Sequence, residues 1–387
     1  NSTYFDYNYY GKLLANKDIS VPIHTIMDSY LYEEIHKNNV ILGSDGYLRY
    51  PYSWHFDAAK FIDFFAKNAL KNKKVSLVSG TVVGGKKGKD EISYIQTENT
   101  RVTADYYIFA TGDSKLNENF LGTKYKNLSD VLLTNKAVVI PLKYKNKREQ
   151  FHPYTVAKTM KYGWRWITPT WSRIGTGYVF SSNHITEDQA ISEFLIDIGD
   201  ETLNPRIVDF SPRYNIKSFH KNYCSIGMAG GFLEPLDAPG LSITLLSMDL
   251  IENHLKKYCK NSKWVLQNIN QELEFLNCSV EDYYKFWTAF ILCQYKTCFR
   301  DDSSFWKDSK ETKYDHYDYI IDNLDNSIGE LEVVMFQHTI ASKDIQWKTK
   351  VKSKPFKTPT ENFKTDHHFN VIQNSHYITN KNQFNYF

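Results

Sequence analysis

The sequence is short of cysteine, arginine and net charge, and it has no long uncharged apolar run. Among its 387 residues are five cysteines, Cys224, Cys259, Cys278, Cys293 and Cys298. The count is odd and none of them form a C-x-x-C pair. A reducing, cytoplasmic compartment fits that pattern best. The net charge is only +3 and no basic stripe is present, so a nucleic-acid partner is not expected. No apolar run is long enough to read as a membrane span. The opening residues, Asn1 to Leu14, lack the basic start and apolar block of a secretory signal. Arginine is confined to positions 49, 101, 148, 165, 173, 206, 213 and 300, and lysine is the default cation. Each arginine therefore marks a place where a planar, bidentate group is needed.

What is abundant is aromatic: 28 tyrosines and 24 phenylalanines, alongside many Lys, Asn and Ile residues. All have AT-rich codons, so nucleotide bias is the simplest reading. Hydrophobic residues at 42% and charged residues at 24% describe a globular chain of two or three domains, able to build a core without disulfides or metal.

Along the chain, a helix is predicted around Thr25–His36. A second follows Trp54-His55-Phe56-Asp57-Ala58, with Asp57 at its N-terminus and Phe61, Phe64, Phe65, Ala69 and Leu70 as a core-facing stripe. The period then falls to two, from Lys74-Val-Ser-Leu through a Lys-Gly hairpin tip to Ala110, which predicts a β-meander. Its last run, Asp105–Ala110, reads as a strand buried on both faces in a parallel sheet. It ends at Thr111-Gly112, where a glycine lets either a tight turn or a ligand come close. Residues 131–185 predict several strands of a second sheet, and Glu187–Gly199 a helix. Tyr223–Ile226 predicts a strand, Leu241 to Tyr258 a helix, and Lys263 to Lys307 mainly helix. The residues beyond Ala341 are polar. Asp366-His367-His368 lacks a spaced third ligand, and no metal site is expected.

Three blocks concentrate the chemistry. In Gly163-Trp164-Arg165-Trp166-Ile167-Thr168-Pro169 the two indoles share one strand face and Arg165 takes the other. They form either a barrier or an ordinary sheet core. Gly227-Met-Ala-Gly-Gly231-Phe232-Leu-Glu234-Pro235-Leu-Asp237-Ala-Pro239-Gly240 joins a strand to a helix. It suits either an anion or flavin edge at a helix N-terminus, or simple helix capping. Arg300-Asp301-Asp302 with Trp306 reads as a structural cap or ion pair.

These blocks resemble the flavin-dependent tryptophan halogenases. Trp164, Trp166 and Pro169 match a W-x-W-x-I-P signature, with Thr168 in place of isoleucine. Gly231 to Gly240 is similar to G-F-x-E-P-L-E-S-T-G, Trp54–Ala58 to Y-H-F-D-A, and Arg300–Trp306 to R-D-D-x-x-F-W. Tyr154–Met160 and Arg173–Ser182 match almost letter for letter. The likeness runs in order from about Tyr50 to Lys307.

The resemblance implies an α/β (α+β) flavoprotein-monooxygenase-like fold that binds FAD, with an interleaved β-sheet substrate module and C-terminal helices. The expected division is 1–125 and 221–260 for the FAD module, 126–220 for the sheet module, and 261–387 for the helical region and polar tail. It implies FADH2 from a separate flavin reductase, a halide co-substrate, hypohalous acid as oxidant, and a small electron-rich aromatic substrate such as tryptophan, an indole or a phenol. Whether the chain forms a homo-oligomer is left open.

The same resemblance assigns Asp237, with Glu234 beside it, as the carboxylates of the catalytic site, though Glu234 stands at a structural position of the family. Helix capping is the competing reading of Asp237. Thr111, Gly112, Gly227, Gly231, Phe232 and Gly240 are the expected flavin contacts. Trp164, Trp166 and Pro169 are the expected barrier, and Pro239 with Gly240 the expected halide site. The G-x-G-x-x-G cradle and the catalytic lysine are not found: either the sequence is a fragment, with both in chain ahead of Asn1, or the protein has lost its cofactor cradle. Aspartate replaces glutamate at 237, and Ala238-Pro239 replaces Ser-Thr. Pro239 has no N–H to offer a halide, so either halide binding is lost or the site is tuned toward a larger, softer ion. The alternatives carried forward are a non-halogenating flavin monooxygenase of the same fold and an inactive, non-enzymatic scaffold.

Overall fold

The computed structural model describes residues 55–152, 154–260, 263–264 and 269–322. The expected helix at Thr25–His36 and the polar tail lie outside these residues. Helix α1 (Ala58–Ala69) leads into a three-stranded antiparallel meander of β1 (Val82–Lys87), β2 (Ile92–Thr97) and β3 (Arg101–Val102). Val75–Ser79, expected to open the meander, forms no strand. Strand β4 (Tyr107–Phe109), helix α2 (Lys115–Asn119) and strand β5 (Tyr125–Asn127) follow.

The chain then builds its largest sheet from β6 (Lys136–Leu142), β7 (Val156–Met160), β8 (Gly163–Pro169), β9 (Ile174–Phe180) and β10 (Arg206–Asp209), in the order β10-β6-β9-β8-β7. Every pairing in it is antiparallel. Helix α3 (Lys147–Gln150) follows β6, and helix α4 (Glu187–Ile198) follows β9. A reciprocal cap opens α4, in which the Thr186 and Gln189 side chains each bond the other's backbone.

The period of two sorts the core by parity. Val138, Tyr178 and Phe180 face α4 and pack on Ala190 and Phe194. Their neighbours Ala137 and Val179 face the other way, with Trp164, into the larger core. That core is closed by helices α5 (Pro239–Tyr258), α6 (Ile269–Lys296) and α7 (Ser304–Glu311), with α8 (Asp315–Asp322) packed outside. The long α6 buries Tyr284, Trp287, Phe290, Ile291 and Tyr295 within it. The predicted helices at 187–199 and 241–258 correspond to α4 and α5; the mainly helical stretch 263–307 contains α6 and α7, but Lys263–Trp264 pairs as a short strand with Cys259–Lys260 instead.

Before α5 the chain forms β11 (Arg213–Asn215), β12 (Tyr223–Ser225) and β13 (Gly231–Phe232). Strand β12 pairs in parallel with β4, Tyr107 opposite Tyr223 and Phe109 opposite Ser225. The chain therefore leaves a parallel unit after β4, builds the large sheet, and returns to the same unit at β12.

Two burial expectations are corrected. Strand β4 is not buried on both faces: Tyr107 and Phe109 are buried, but Ile108 is 49% exposed. A two-stranded unit has too few neighbours to cover every face. Helix α1 forms, and Asp57 caps it by accepting from the Ala59 and Lys60 backbone N–H groups. Its stripe is not core, however: Phe61, Phe64 and Phe65 are exposed among the described residues. The 3.6-residue spacing specified the helix and its apolar face, but not what would cover that face.

Gly177 on β9 sits directly under Trp166, and a Cβ there would fall 2.2 Å from the indole Cη2. Gly177→Ala is expected to cost about 1–3 kcal/mol by overpacking. Urea denaturation checks this, and a neutral substitution would show that the indole moves freely.

Candidate active site

The turn between β13 and α5 places two carboxylates of opposite character. Glu234 is 1% exposed. Its Oε2 accepts from the Thr134 hydroxyl, and both its oxygens lie 2.9 Å from Tyr295 Oη. Thr134 precedes β6 and Tyr295 belongs to α6, so this side chain ties sheet, turn and helix together. Burial pushes the Glu234 carboxyl up to about 7, and the Asp237 charge adds to the rise. The hydroxyls of Thr134 and Tyr295 and the indole N–H of Trp164 pull the other way. Burial and the Glu234 charge hold Tyr295 well above its usual range. The Trp164 Nε1 is buried outside hydrogen-bonding geometry.

Asp237 is exposed. It and Ala238 both adopt left-handed backbone, at φ 60° and 52°. Aspartate tolerates this conformation better than alanine, whose Cβ crowds the carbonyl at about 1–2 kcal/mol. Helix α5 begins at Pro239, so Ala238 holds the position before its first residue, where the capping reading would need Asp237. Proline suits that first position, because its N–H would have no partner within the helix.

The two indoles take the shared face that their spacing predicts, with Trp164 in the large core and Trp166 packed against it. Trp164 and Trp166 share a face with ring centroids 6.2 Å apart, Trp164 buried and Trp166 half-buried. Arg165 points oppositely and bonds Asp197 at 2.6 Å and Thr176 at 3.0 Å. The carbonyl of Pro169, at the end of the same strand, accepts from His55 Nδ1 at 2.9 Å. Arg173 reaches Asp57 at 2.9 Å and holds that carboxyl below its usual range. Two motifs far apart in sequence are joined there.

The candidate flavin contacts divide into two groups. Gly112 and Gly227 follow the carboxyl ends of β4 and β12 with left-handed φ of 66° and 58°, and a Cβ added at either would meet no described atom within 4 Å. Gly240, in the first turn of α5, has the same open space around it. Thr111 bonds Asn117 at 2.6 Å, and Asn117 in turn donates to the Gly112 carbonyl, which fixes that turn. Gly231 and Phe232 face protein instead. A Cβ at Gly231 would meet Arg213 O and Tyr284 Oη at 2.7 Å, and Phe232 packs edge-on against Phe210.

Three contributors escaped sequence reading: Thr134, Tyr295 and Arg213. Arg213 binds Asp113 and Glu118 and lies over the Tyr125 ring, bracing the turn after β4. Its rarity in a lysine-rich chain was the available signal. The third block serves as a clamp. Arg300 grips Asp302 through two hydrogen bonds, and the Trp306 indole donates to the Met160 carbonyl at 2.9 Å. No cluster of metal-ligating side chains occurs among the described residues.

Known proteins show the family and the fold. The tryptophan halogenase family pattern matches residues 27–382. The chain is 28% identical over 278 residues to tryptophan 7-halogenase KtzQ of Kutzneria sp. (strain 744), covering 70% of this chain and 50% of that one. It is 28% identical over 300 residues to tryptophan 7-halogenase RebH of Lentzea aerocolonigenes, covering 76% and 54%. The chain thus spans about half the length of the curated relatives it matches. In fold it superimposes on a tryptophan halogenase from Shewanella frigidimarina NCIMB 400 with a TM-score of 0.77, at 19% identity over 90% of this chain and 68% of that one.

Between about pH 4.5 and about pH 7 the folded chain holds a proton on Glu234 that the unfolded chain has released. Stability from this group is full below that window and falls as pH rises through it, by about 3 kcal/mol in all. Glu234→Gln is expected to flatten the slope. Urea midpoints at about pH 5 and about pH 8 check this, and an unchanged slope in the variant would contradict the assignment.

Proposed function

The chain belongs to the tryptophan halogenase family, and from that premise we propose that it is a flavin-dependent halogenase acting on a small electron-rich aromatic. One observation carries the reading: the exposed Asp237 shares its turn with the buried Glu234, whose carboxyl is influenced both by the Asp237 charge and by the indole of Trp164, which lies beside Trp166. Two indoles make a dry partition that keeps a reactive oxidant from water. Asp237 is the acid/base group, taking the ring proton released as the carbon–halogen bond forms.

The residues present fit part of a flavin. Thr111, Gly112, Gly227 and Gly240 would hold it, because open glycine backbone at the carboxyl ends of two parallel strands and in the first turn of a 20-residue helix lets a ligand approach closely. Gly231 and Phe232 serve packing. When bound, reduced FAD supplies with oxygen the oxidising power that halide halogenation needs, and a separate flavin reductase would furnish it. The G-x-G-x-x-G cradle and the reactive lysine of the family are not found among the 387 residues. We assign 1–125 and 221–260 to that flavin module, 126–220 to the substrate sheet and 261–387 to the C-terminal helical region and polar tail. Pro239 removes a donor where halide would bind, which favours a larger, softer ion at the Gly240 end and keeps a halide-independent monooxygenase as the second reading. The described cysteines Cys224, Cys278, Cys293 and Cys298 are thiols, in keeping with a cytoplasmic setting.

Incubation of the full chain with FADH2, oxygen, an indole panel and chloride, bromide or iodide in turn is expected to give halogenated product, read by mass spectrometry. Asp237→Asn is expected to lower the rate by about 100-fold or more. An oxygenated product indifferent to halide would support the monooxygenase, and a chain that binds no flavin would support the scaffold.

A further inference from the structure

We propose that Glu234 is a positioning residue that links the tryptophan wall to the catalytic turn, transmitting charge at Asp237 to the Trp164 indole. The proposal deepens the halogenase reading and takes the role of Asp237 from it, but the link itself is a property of this chain.

The geometry starts from donor arithmetic. Thr134 and Tyr295 both direct hydroxyls at the Glu234 carboxyl, Tyr295 at both oxygens. An ionised carboxylate only accepts, and it accepts both. A protonated one must donate its own hydrogen, and a neighbouring hydroxyl then has to turn round to receive it. The remaining neighbour, the Trp164 indole N–H, can only donate, and it is buried outside hydrogen-bonding geometry. Ionisation of Glu234 therefore draws that N–H towards the carboxylate, and protonation releases it. Wall position and carboxyl charge are coupled by this asymmetry.

Four groups from four parts of the fold face the carboxyl: Thr134 before β6, Trp164 on β8, Tyr295 on α6, and Asp237 three residues along its own turn. Asp237 is the one whose charge opposes ionisation of Glu234. Its position is set by left-handed backbone at 237 and 238, so the charge acts from a fixed place. By linkage, whatever protonates or neutralises Asp237 favours ionised Glu234, and with it the drawn-in indole.

The test uses the full chain without flavin or halide. Tryptophan emission is followed from about pH 5 to about pH 9, with far-ultraviolet circular dichroism as the folding control. The wild type is expected to show an emission transition centred near 7, absent from both Glu234→Gln and Trp164→Phe. Asp237→Asn, at an exposed position, is expected to keep the transition and move its midpoint to lower pH. A flat wild-type titration, a transition that survives unchanged in Glu234→Gln, or an Asp237→Asn midpoint that stays in place would each overturn the link. If Glu234→Gln does not fold, the Trp164→Phe and Asp237→Asn arms decide the matter. Halogenation failing while this titration behaves as expected would sink the proposed function alone. Product formation without the titration would sink the coupling alone.

Discussion

A carboxyl group buried at the junction of a sheet, a turn and a helix constrains everything around it. Left alone, the Glu234 charge would be costly to remove from water, since an ion in a low-dielectric interior loses several kcal/mol of hydration. The chain meets that cost with two hydroxyls from elements on either side. Once those partners are required, the spacing of β6, the turn and α6 is no longer free. The Trp164 side chain fills the remaining side, so the tryptophan wall takes its position from the same point. The large core of α5, α6 and α7 is hydrophobic packing around this polar centre.

Much of this was legible in the sequence. The parity of Trp164, Arg165 and Trp166, the cap at Asp57 and the strand-to-helix passage at 231–240 are local properties, written in residue spacing and turn chemistry. The order of the blocks carried the family. The partners of Glu234 were hidden because they lie 100 residues before it and 61 after it, and no local pattern marks a threonine or a tyrosine as half of a buried pair. Gly231 was hidden for a related reason. A glycine that admits a ligand and one that admits a neighbouring tyrosine look the same in one dimension, and only packing separates them. The phenylalanine stripe of α1 shows the converse: periodicity gave the apolar face, while its burial depends on neighbours.

The scarcity of arginine proved informative. Arg165, Arg173, Arg213 and Arg300 each engage carboxylate, and Arg300 does so through two parallel hydrogen bonds. Where lysine would serve as a mobile point charge, the fork of arginine fixes an orientation. These four sit where separate segments must be locked: sheet to α4, sheet to α1, the β4 turn to β11, and the entry to α7.

The parallel pairing of β4 with β12 has a consequence in time. Tyr107 meets Tyr223 only after the whole five-stranded sheet has been synthesised between them. The hairpins of that sheet close over short loops and can form early, whereas the parallel unit waits for a distant strand and pays the loop entropy last. Among the described residues β12 is the partner of β4, so during translation that edge of β4 waits until β12 clears the ribosome. This is the interval in which a nascent chain of this kind is most exposed to aggregation and most dependent on chaperones.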